Sequence, residues 1–239
     1  MHLPDYLKED NWLSEILGKP SFNLQPKEFI NSQRNLESFN LPKNCFVQSK
    51  VDCDDLRTCI FLQKQGFLVI DTNVSYTLNI NDRTNKQSDL KDYKIREAQS
   101  NDKEQVMDCA LNSFIYTRYH LDPQIDNQKA DCIKSEWAGN YFNGKRGQLM
   151  TLAVDSADKV VGFCQILEHD SITRIIDLIA VEEASRRQGL AQAMIRSSIT
   201  DQNSFIVGTQ VSNSPSIRCY ENLGFRHTKS QYVLHYHGL

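Results

Sequence analysis

The most constraining feature of this sequence is a hydrophobic run that leads through a polar turn into a helical pattern. The run Ile176–Val181 is followed by the polar stretch Glu182–Gly189. Leu190, Met194 and Ile195 then recur at the spacing of one helix face. The pattern therefore predicts a strand that passes through a tight turn into a helix.

A turn of this kind is suited to binding a phosphate group. Main-chain N–H groups stay uncovered where the helix begins at Gly189 and Ala191, and a helix N-terminus carries a partial positive charge. Gly189 has no Cβ, so a bulky anion can approach the main chain closely. Arg186 and Arg187 add fixed positive charge at the same place.

The segment Val181–Ala191, with its run Arg-Arg-Gln-Gly-Leu-Ala, resembles the pyrophosphate-binding motif of the GCN5-related N-acetyltransferase (GNAT) superfamily. In that family the turn holds the diphosphate of acetyl-coenzyme A (acetyl-CoA), and the preceding strand lines the pantetheine arm. An ordinary strand–turn–helix is the alternative interpretation. The resemblance implies acetyl-CoA as cosubstrate and a coenzyme site formed by Leu178, Ile179, Ala180, Val181, Arg186, Arg187, Gln188, Gly189, Leu190, Ala191, Asn213 and Tyr220.

A second stretch, Gly208–Phe225, resembles the other half of the GNAT signature. There the residue at Asn213 contacts the pantetheine or a water, and the residue at Tyr220 lies beside the coenzyme sulfur. We expect Tyr220 to act as general acid, because a phenol with an ordinary pKa of about 10 holds its proton at neutral pH. Packing with Ile217 and Leu223 is the alternative for Tyr220, and starting a helix is the alternative for Asn213.

The remaining catalytic groups are less well defined by the sequence. A main-chain N–H near Ile179–Val181 would stabilise the negative charge on the carbonyl oxygen of the tetrahedral intermediate. The base that takes the proton of the amine is open between Asp177, Glu168, His169 and a water molecule, and each of the three residues is also a candidate for a purely structural role.

Within the superfamily, the chain is most similar to the group of dTDP-fucosamine acetyltransferase-like enzymes. The similarity rests on Gly208-Thr-Gln, Ser230-x-Tyr-x-Leu and Thr117-Arg-Tyr, and the chain departs from that group at Gly224-Phe and at its His235-Tyr-His end. It implies a nucleotide-linked amino sugar of surface polysaccharide biosynthesis as acceptor. The acceptor candidates, each also explicable as a surface or packing residue, are Arg118, His120, Asp122, Trp137, Tyr141, Lys145 and Arg146.

The predicted fold class is α/β (α+β), a GNAT fold with a mixed central sheet flanked by helices. From Tyr93 onward the expected order is β-α-α-β-β-β-α-β-α-β-β, which is the order the superfamily uses. Helix, Gly-Phe and strand occur in both Leu62–Leu78 and Tyr220–Leu234, so the first unit is interpreted as a smaller, truncated GNAT-like unit. A chance likeness between two helix-to-strand turns is the alternative. The predicted domains are 1–90 and the catalytic 91–239, with the polar stretch Asn81–Lys91 as linker.

Three further element predictions are specific enough to test. A helix is expected over Pro4–Leu17, with the chain after it turning at Gly18. Phe67–Ile70 and Val74–Ile80 are expected to form a strand and a return strand. Phe225–His235 is expected to supply a final pair of strands.

Composition narrows the class of protein. The 239 residues are 40% hydrophobic and 24% charged with a net charge of −3, which is ordinary for a globular protein and argues against nucleic acid as partner. No apolar run of membrane-spanning length and no secretory signal is evident. The seven scattered cysteines indicate reduced thiols, so we expect a cytoplasmic protein.

The expected function is therefore acetyl transfer from acetyl-CoA to a small-molecule amine, with no metal, no membrane and no nucleic acid. A homodimer is compatible with the sequence. Two alternatives stay open at this stage: a GNAT enzyme for a protein N-terminus or another small amine, and a non-catalytic acyl-CoA-binding module. Basic and aromatic residues within 114–147 favour the amino sugar, whereas an acceptor cleft rimmed by carboxylates would favour the second class.

Overall fold

The computed structural model describes residues 4–32, 41–79, 90–199 and 204–238. The chain forms two compact units. Unit 1 consists of Met1–Val74, Tyr116–Ala130 and Lys229–Leu239, and unit 2 of Ser75–Ile115 and Asp131–Thr228. Two segments from the second half of the chain thus pack within unit 1. The functional domains 1–90 and 91–239 stay a prediction, and most of the proposed linker lies outside the described residues.

The elements are numbered along the chain. The strands are β1 Leu7–Glu9, β2 Ser21–Leu24, β3 Phe46–Asp52, β4 Leu68–Leu78, β5 Lys94–Glu97, β6 Leu149–Val154, β7 Val160–Glu168, β8 Thr173–Val181, β9 Ser204–Gln210 and β10 Arg226–His237. The helices are α1 Asn11–Leu17, α2 Pro26–Asn31, α3 Leu56–Lys64, α4 Lys103–Ser113, α5 Arg118–Leu121, α6 Asn127–Phe142, α7 Leu190–Ser198 and α8 Ser214–Asn222.

Unit 1 contains a mixed sheet in the order β1-β2-β3-β10. The pairs β1–β2 and β3–β10 are antiparallel, and β2–β3 is parallel. Apolar side chains on one side of the sheet, among them Phe29, Leu62, Phe67 and Leu234, form its core with α2 and α3. The side chains that β3 and β10 direct to the other side include the polar pair Gln48 and His235.

The predicted N-terminal helix begins later than expected. Leu7–Glu9 pairs with β2 instead of continuing a helix. Asp10 then caps α1, since its side chain accepts a hydrogen bond from the main-chain N–H of Leu13. Gly18 ends the helix in the left-handed conformation, as the sequence predicted. The helix prediction over Pro4–Leu17 was therefore wrong for its first turns.

Both predicted strand pairs are single long strands. β4 runs unbroken from Leu68 to Leu78, and β10 from Arg226 to His237. The polar residues Asp71–Asn73 suggested a turn in the sequence, but they lie inside β4. Gln231–His237 of β10 pair with the whole length of β3. Sheet pairing thus overrides the local turn preference of these polar residues.

Unit 2 is built around the strands β5 to β9 in the order β9-β8-β7-β6-β5. The pairs from β5 to β8 are antiparallel and β8–β9 is parallel, so this sheet is also mixed. α4 packs against β7 and β8, and α7 packs against β6, β7 and β8. The expected mixed sheet with flanking helices is confirmed, and β8, Thr173–Val181, contains the run Ile176–Val181 that predicted a strand. None of the helices in the described ranges is long and apolar enough to cross a membrane.

Candidate active site

The parallel strands β8 and β9 separate partway along their length. Their pairing runs from Thr173 opposite Ser204 to Ile176 opposite Val207. β8 continues to Val181 with β7 as its partner on the other side. Within the described residues, the register therefore leaves the β9-facing edge of Asp177–Val181 unpaired in the sheet. Main-chain N–H and C=O groups on such an edge can bind the amide groups of an extended ligand.

A bulge in β8 lies where the strands separate. Gln165 pairs with Leu178, whereas the next residue of β7, Ile166, pairs with Ile176. Asp177 is therefore an extra residue in β8 that has no paired residue in β7. A bulge of this kind bends its strand and redirects a side chain, and bulges are frequent beside active sites.

The turn after β8 has the geometry that the sequence predicted. Gly189 precedes α7 with φ of 79°, and no side chain caps the helix. Arg187 also has a positive φ, 65°, which is uncommon for a residue with a Cβ. Residues in the left-handed conformation at the beginning of a helix direct successive N–H groups toward one concave face. Such a face is suited to binding a phosphate. The coenzyme contacts assigned to Gln188, Leu190 and Ala191 stay a prediction.

Arg186 holds the turn in place. Its guanidinium donates to the main-chain carbonyl of Val181 from Nε and to that of Ser113 from Nη2, each at 3.1 Å. These bonds fasten the turn to the end of β8 and to the end of α4. Arg186 and Arg187 are both exposed. The structure thus gives Arg186 a positioning contact that the sequence did not predict, while its predicted role toward phosphate stays a prediction.

Tyr220 lies on α8 and is only 3% exposed. Its ring packs near Phe225 and Tyr76, with centroid distances of 5.7 Å and 6.4 Å. Burial raises the pKa of the Tyr220 phenol well above its usual range, and the nearby thiols of Cys219 and Cys164 act in the same direction. The phenol therefore keeps its proton at neutral pH, as a general acid requires, and its ring also has the packing contacts of the alternative interpretation.

Asn213 caps α8. Its Oδ1 accepts a hydrogen bond from the main-chain N–H of Ser216 at 3.2 Å. This is the helix-starting role that the sequence offered as the alternative for this residue. The catalytic and coenzyme roles of Asn213 stay predictions.

The carboxylate of Asp177 is surrounded by donors. It accepts from Trp137 Nε1 at 2.7 Å and from Arg146 Nε and Nη2 at 2.6 Å each. The Arg146 guanidinium and the Lys134 ammonium lie over the Trp137 ring, 4.9 Å and 4.5 Å from its centroid. The ring of Phe114 lies 5.1 Å from the Lys134 ammonium. The four residues that surround Asp177 or contact each other here are called the Trp137 cluster: Phe114, Lys134, Trp137 and Arg146. A carboxylate held in this way is poorly suited to act as a free base.

The other two candidates for the base are less well placed. Glu168 pairs with Arg174 near the start of β8, and both Glu168 and His169 are exposed. They lie at the far end of the hairpin from the bulge at Asp177. The identity of the base therefore stays open, with a water molecule among the candidates.

Gln165 is a buried polar residue of β7 near the bulge, and the sequence analysis did not single it out. Its side chain is fully buried and donates from Nε2 to the main-chain carbonyl of Arg146 at 3.3 Å. Its Oε1 has no hydrogen-bond partner. A polar residue inside the apolar run Val160–Leu167 was the available signal, since a buried amide in a strand needs a partner.

The seven acceptor candidates fall into two groups. Trp137 and Arg146 contact each other in unit 2, and Tyr141 and Lys145 belong to the same unit. Arg118, His120 and Asp122 belong to unit 1. The acceptor role of these seven residues stays a prediction.

Asp122 also belongs to a set of side chains that a metal ion could use. Its Oδ2 lies 2.7 Å from His235 Nδ1 and 2.8 Å from His237 Nε2, and the three ligand atoms lie within 4.8 Å of one another. The two short distances are those of hydrogen bonds from the rings to the carboxylate. The sequence analysis missed this cluster because Asp122 is more than a hundred positions away from both histidines.

Comparison with known proteins finds similarity to acetyltransferases. The model of the acetyltransferase (GNAT) domain matches residues 146–227, which lie within unit 2. The spore coat polysaccharide biosynthesis protein SpsD of Bacillus subtilis is 25% identical over 245 residues, covering 96% of this chain and 82% of SpsD. The mycothiol acetyltransferase of Actinosynnema mirum is 27% identical over 119 residues, covering 47% of this chain and 39% of that protein.

Solved structures show the same fold. A tandem GNAT protein from the clavulanic acid biosynthesis pathway covers 92% of this chain and 76% of its own, with a TM-score of 0.61 and 12% identity. A GCN5-related N-acetyltransferase from Sphaerobacter thermophilus covers 93% and 73%, with a TM-score of 0.55 and 12% identity. The chain therefore has the GNAT fold and contains a GNAT acetyltransferase domain, so it is an acetyl-transferring enzyme whose cosubstrate is acetyl-CoA.

Proposed function

We propose that this enzyme transfers the acetyl group of acetyl-CoA to the primary amine of a nucleotide-linked amino sugar, in surface polysaccharide biosynthesis. The observation that carries the proposal is the separation of β8 from β9 beside the uncapped start of α7. An unpaired strand edge and a set of open N–H groups together suit a long ligand with amides at one end and a diphosphate at the other. Acetyl-CoA has that construction.

The coenzyme is proposed to lie along Leu178–Val181, with its diphosphate at the turn Arg186–Ala191. A main-chain N–H of β8 near Ile179 would then donate to the thioester carbonyl. This donor would stabilise the oxygen as it gains negative charge when the amine attacks. Charge development on that oxygen makes the donor worth more in the transition state than in the bound substrate.

Tyr220 is proposed to complete the reaction as general acid. The amine nitrogen forms a bond to the acetyl carbon, and the carbon–sulfur bond of the thioester then breaks. The departing thiolate takes the proton of the Tyr220 hydroxyl, and the proton lost by the amine passes to a base or water and restores the phenol. The products are an N-acetyl amide and free coenzyme A.

The acceptor class is supported by the charges around the bulge. The Trp137 cluster places two cations, Lys134 and Arg146, against an aromatic ring, and Arg146 is paired with the carboxylate of Asp177. An indole can stack on a base or sugar, and a cation can bind a diphosphate. Gln165 adds a buried acceptor without a partner, Oε1, which a substrate hydroxyl or amine could satisfy. SpsD, the relative that spans most of this chain, is named for polysaccharide biosynthesis.

The first 90 residues are proposed to be a truncated GNAT-like unit without coenzyme chemistry of its own. The support is the repeated helix–Gly-Phe–strand pattern, which occurs in the structure as α3 with β4 and as α8 with β10. The resemblance of nearly the whole chain to a tandem GNAT protein agrees with this proposal.

A substrate panel tests the proposed function. The purified full chain is mixed with acetyl-CoA and one amine at a time: nucleotide-linked amino sugars, the free amino sugars, a polyamine and a peptide with a free N-terminus. Release of free thiol gives kcat/KM, and mass spectrometry identifies the amide. The proposal expects the highest kcat/KM with a nucleotide-linked amino sugar. A higher value with the peptide or polyamine contradicts it, as does normal coenzyme binding without turnover of any amine.

A further inference from the structure

Among the residues of unit 1 that the structure describes, two buried polar side-chain atoms lack a hydrogen-bond partner, Nε2 of His235 and Oδ2 of Asp71. They belong to a group of polar side chains on β3, β4, α5 and β10, all within unit 1. This group, Gln48, Asp71, Arg118, Tyr119 and His235, is called the Arg118 cluster. Buried polar groups in proteins nearly always have partners, so these two orphan atoms are candidates for contact with a ligand.

Hydrogen bonds connect most of the Arg118 cluster. Gln48 Oε1 accepts from Arg118 Nε at 3.2 Å and from the Tyr119 hydroxyl at 3.3 Å. Arg118 Nη2 donates to the same hydroxyl at 2.7 Å. His235 lies directly opposite Gln48 in the β3–β10 pair, and its ring is stacked on that of Tyr119. These contacts bring the side chains of Gln48, Arg118, Tyr119 and His235 together, and the charge of Arg118 also acts on Asp71.

The protonation of His235 follows from its partners. Asp122 Oδ2 is an acceptor, so His235 Nδ1, 2.7 Å away, carries the proton of a neutral ring. Burial lowers the pKa of His235, although the bond to Asp122 opposes this effect. Nε2 then has only a lone pair and needs a donor from outside the cluster.

The carboxylate of Asp71 also has an oxygen that needs a hydrogen-bond donor. Its Oδ1 accepts the main-chain N–H of Thr72 at 2.7 Å, and its Oδ2 has no partner. Burial raises the pKa of Asp71, whereas the charges of Arg118 and Lys50 lower it. The two orphan atoms are thus both acceptors, and the neighbouring charged groups Arg118 and Lys50 are cations.

The burial of these groups is graded. Asp71 and His235 are buried, Arg118 and Gln48 are half-buried, and Lys50 is exposed. A ligand that enters from solvent would therefore meet the cations first and the two acceptors last. Acceptors at depth call for hydroxyl donors, and cations near the surface call for an anionic group.

A metal ion does not explain the orphan atoms. The atoms of His235 and His237 that face Asp122 are already in hydrogen bonds. A metal-bound histidine normally donates from its other nitrogen to an acceptor. The ammonium of Lys19 instead faces His237 Nδ1 at 3.0 Å, where it needs that nitrogen to accept. The cation of Lys19 would also repel a divalent ion.

We propose that the Arg118 cluster binds a phosphorylated sugar, with sugar hydroxyls donating to Asp71 Oδ2 and His235 Nε2 and the phosphate contacting Arg118 and Lys50. This site lies in unit 1 and goes beyond the acetyl transfer proposed above. It requires neither acetyl-CoA nor turnover, so it can be tested even if the acceptor amine is a different compound.

Calorimetry on the full chain without acetyl-CoA tests this site, with glucosamine 1-phosphate as the probe and glucose and inorganic phosphate as separate titrants. We expect saturable binding of the probe, with Kd at least about tenfold higher for each component alone. Arg118→Gln and Asp71→Asn are expected to raise the probe's Kd by about tenfold or more, because each removes a charged partner. Lys64→Ala, which removes an exposed lysine of α3 in the same unit, serves as the matched control and should leave Kd unchanged.

Three results would overturn the proposal. The first is no probe binding to a folded wild-type chain. The second is equal Kd values for wild type, Arg118→Gln and Asp71→Asn, each with an unchanged circular dichroism spectrum. The third is stoichiometric zinc in the purified protein that is lost in His237→Gln, since the cluster would then be part of a metal centre.

Discussion

The carboxylate of Asp177 and the guanidinium of Arg146 form a bidentate ion pair, with both nitrogen–oxygen distances at 2.6 Å. Asp177 is the extra residue of the β8 bulge, and its side chain is only 6% exposed. Trp137 donates a third hydrogen bond to the same carboxylate. The pair therefore fixes the side chain of the bulge at the point where β8 leaves β9.

We expect Arg146→Gln to lower the free energy of unfolding, because it leaves a buried carboxylate with one donor. A lost charge-assisted hydrogen bond costs about 1.5–3 kcal/mol, and the partly exposed guanidinium places the expected loss at about 1–2 kcal/mol. Urea denaturation gives the value. Lys145→Gln, the exposed neighbour in the same turn, is the control and should change stability by less than about 0.5 kcal/mol. Equal losses in the two variants would show that the ion pair does not stabilise the bulge.

A double variant tests whether the stability lost in Arg146→Gln comes from the carboxylate that is left without its cation. Arg146→Gln with Asp177→Asn removes both charges and leaves no uncompensated carboxylate. It should therefore be more stable than Arg146→Gln alone. A double variant less stable than that single variant would contradict this account of the pair.

Tyr220→Phe is expected to lower kcat by about 10²-fold or more with little change in coenzyme affinity. The phenyl ring keeps the packing against Tyr76 and Phe225, whereas the proton donor is lost. Steady-state kinetics and calorimetry with coenzyme A give the two quantities. Tyr76→Phe removes a neighbouring buried hydroxyl and should leave kcat within about threefold. Wild-type turnover in Tyr220→Phe would remove the general-acid assignment.

Gly189→Val is expected to abolish coenzyme binding. A valine at φ of 79° is strained, and its side chain would also lie over the N–H groups at the start of α7. Calorimetry with coenzyme A measures the effect. Gly144→Val is the control for strain alone, because Gly144 also has a positive φ, 65°, and an added Cβ there meets nothing within 4 Å. Wild-type affinity in Gly189→Val, or an equal loss in Gly144→Val, would argue against a diphosphate site at this turn.

The sequence predicted the features that depend on local pattern. The strand over Ile176–Val181, the glycine turn and the helix after it are encoded by neighbouring residues, and the structure contains all three. The limits of β4 and β10 were missed because pairing across the sheet decided them, as with Asp71 inside β4. The bonds from Arg146 to Asp177 and from Arg186 to Ser113 were missed because they join residues 31 and 73 positions apart.

Buried His235 predicts a pH dependence of stability. Burial lowers its pKa from the ordinary 6.5, so the folded chain does not take up the proton that the unfolded chain binds as the pH falls through that value. The free energy of unfolding should therefore decrease below pH 6.5, by at most about 1.4 kcal/mol per pH unit for this group. The pKa of Asp122 is lowered by its bonds to His235 and His237 in spite of burial, so Asp122 stays ionised near pH 6. It changes the free energy of unfolding only below about pH 4.

Urea denaturation at intervals between pH 5 and pH 8 measures this dependence. His235→Gln should flatten the curve below pH 6.5, because the variant has no imidazole to keep unprotonated. His169→Gln is the matched control, since His169 is exposed and its removal should leave the slope unchanged. A slope that is the same in His235→Gln and wild type would mean that another group binds the proton, and the unprotonated Nε2 on which the sugar site depends would lose its support.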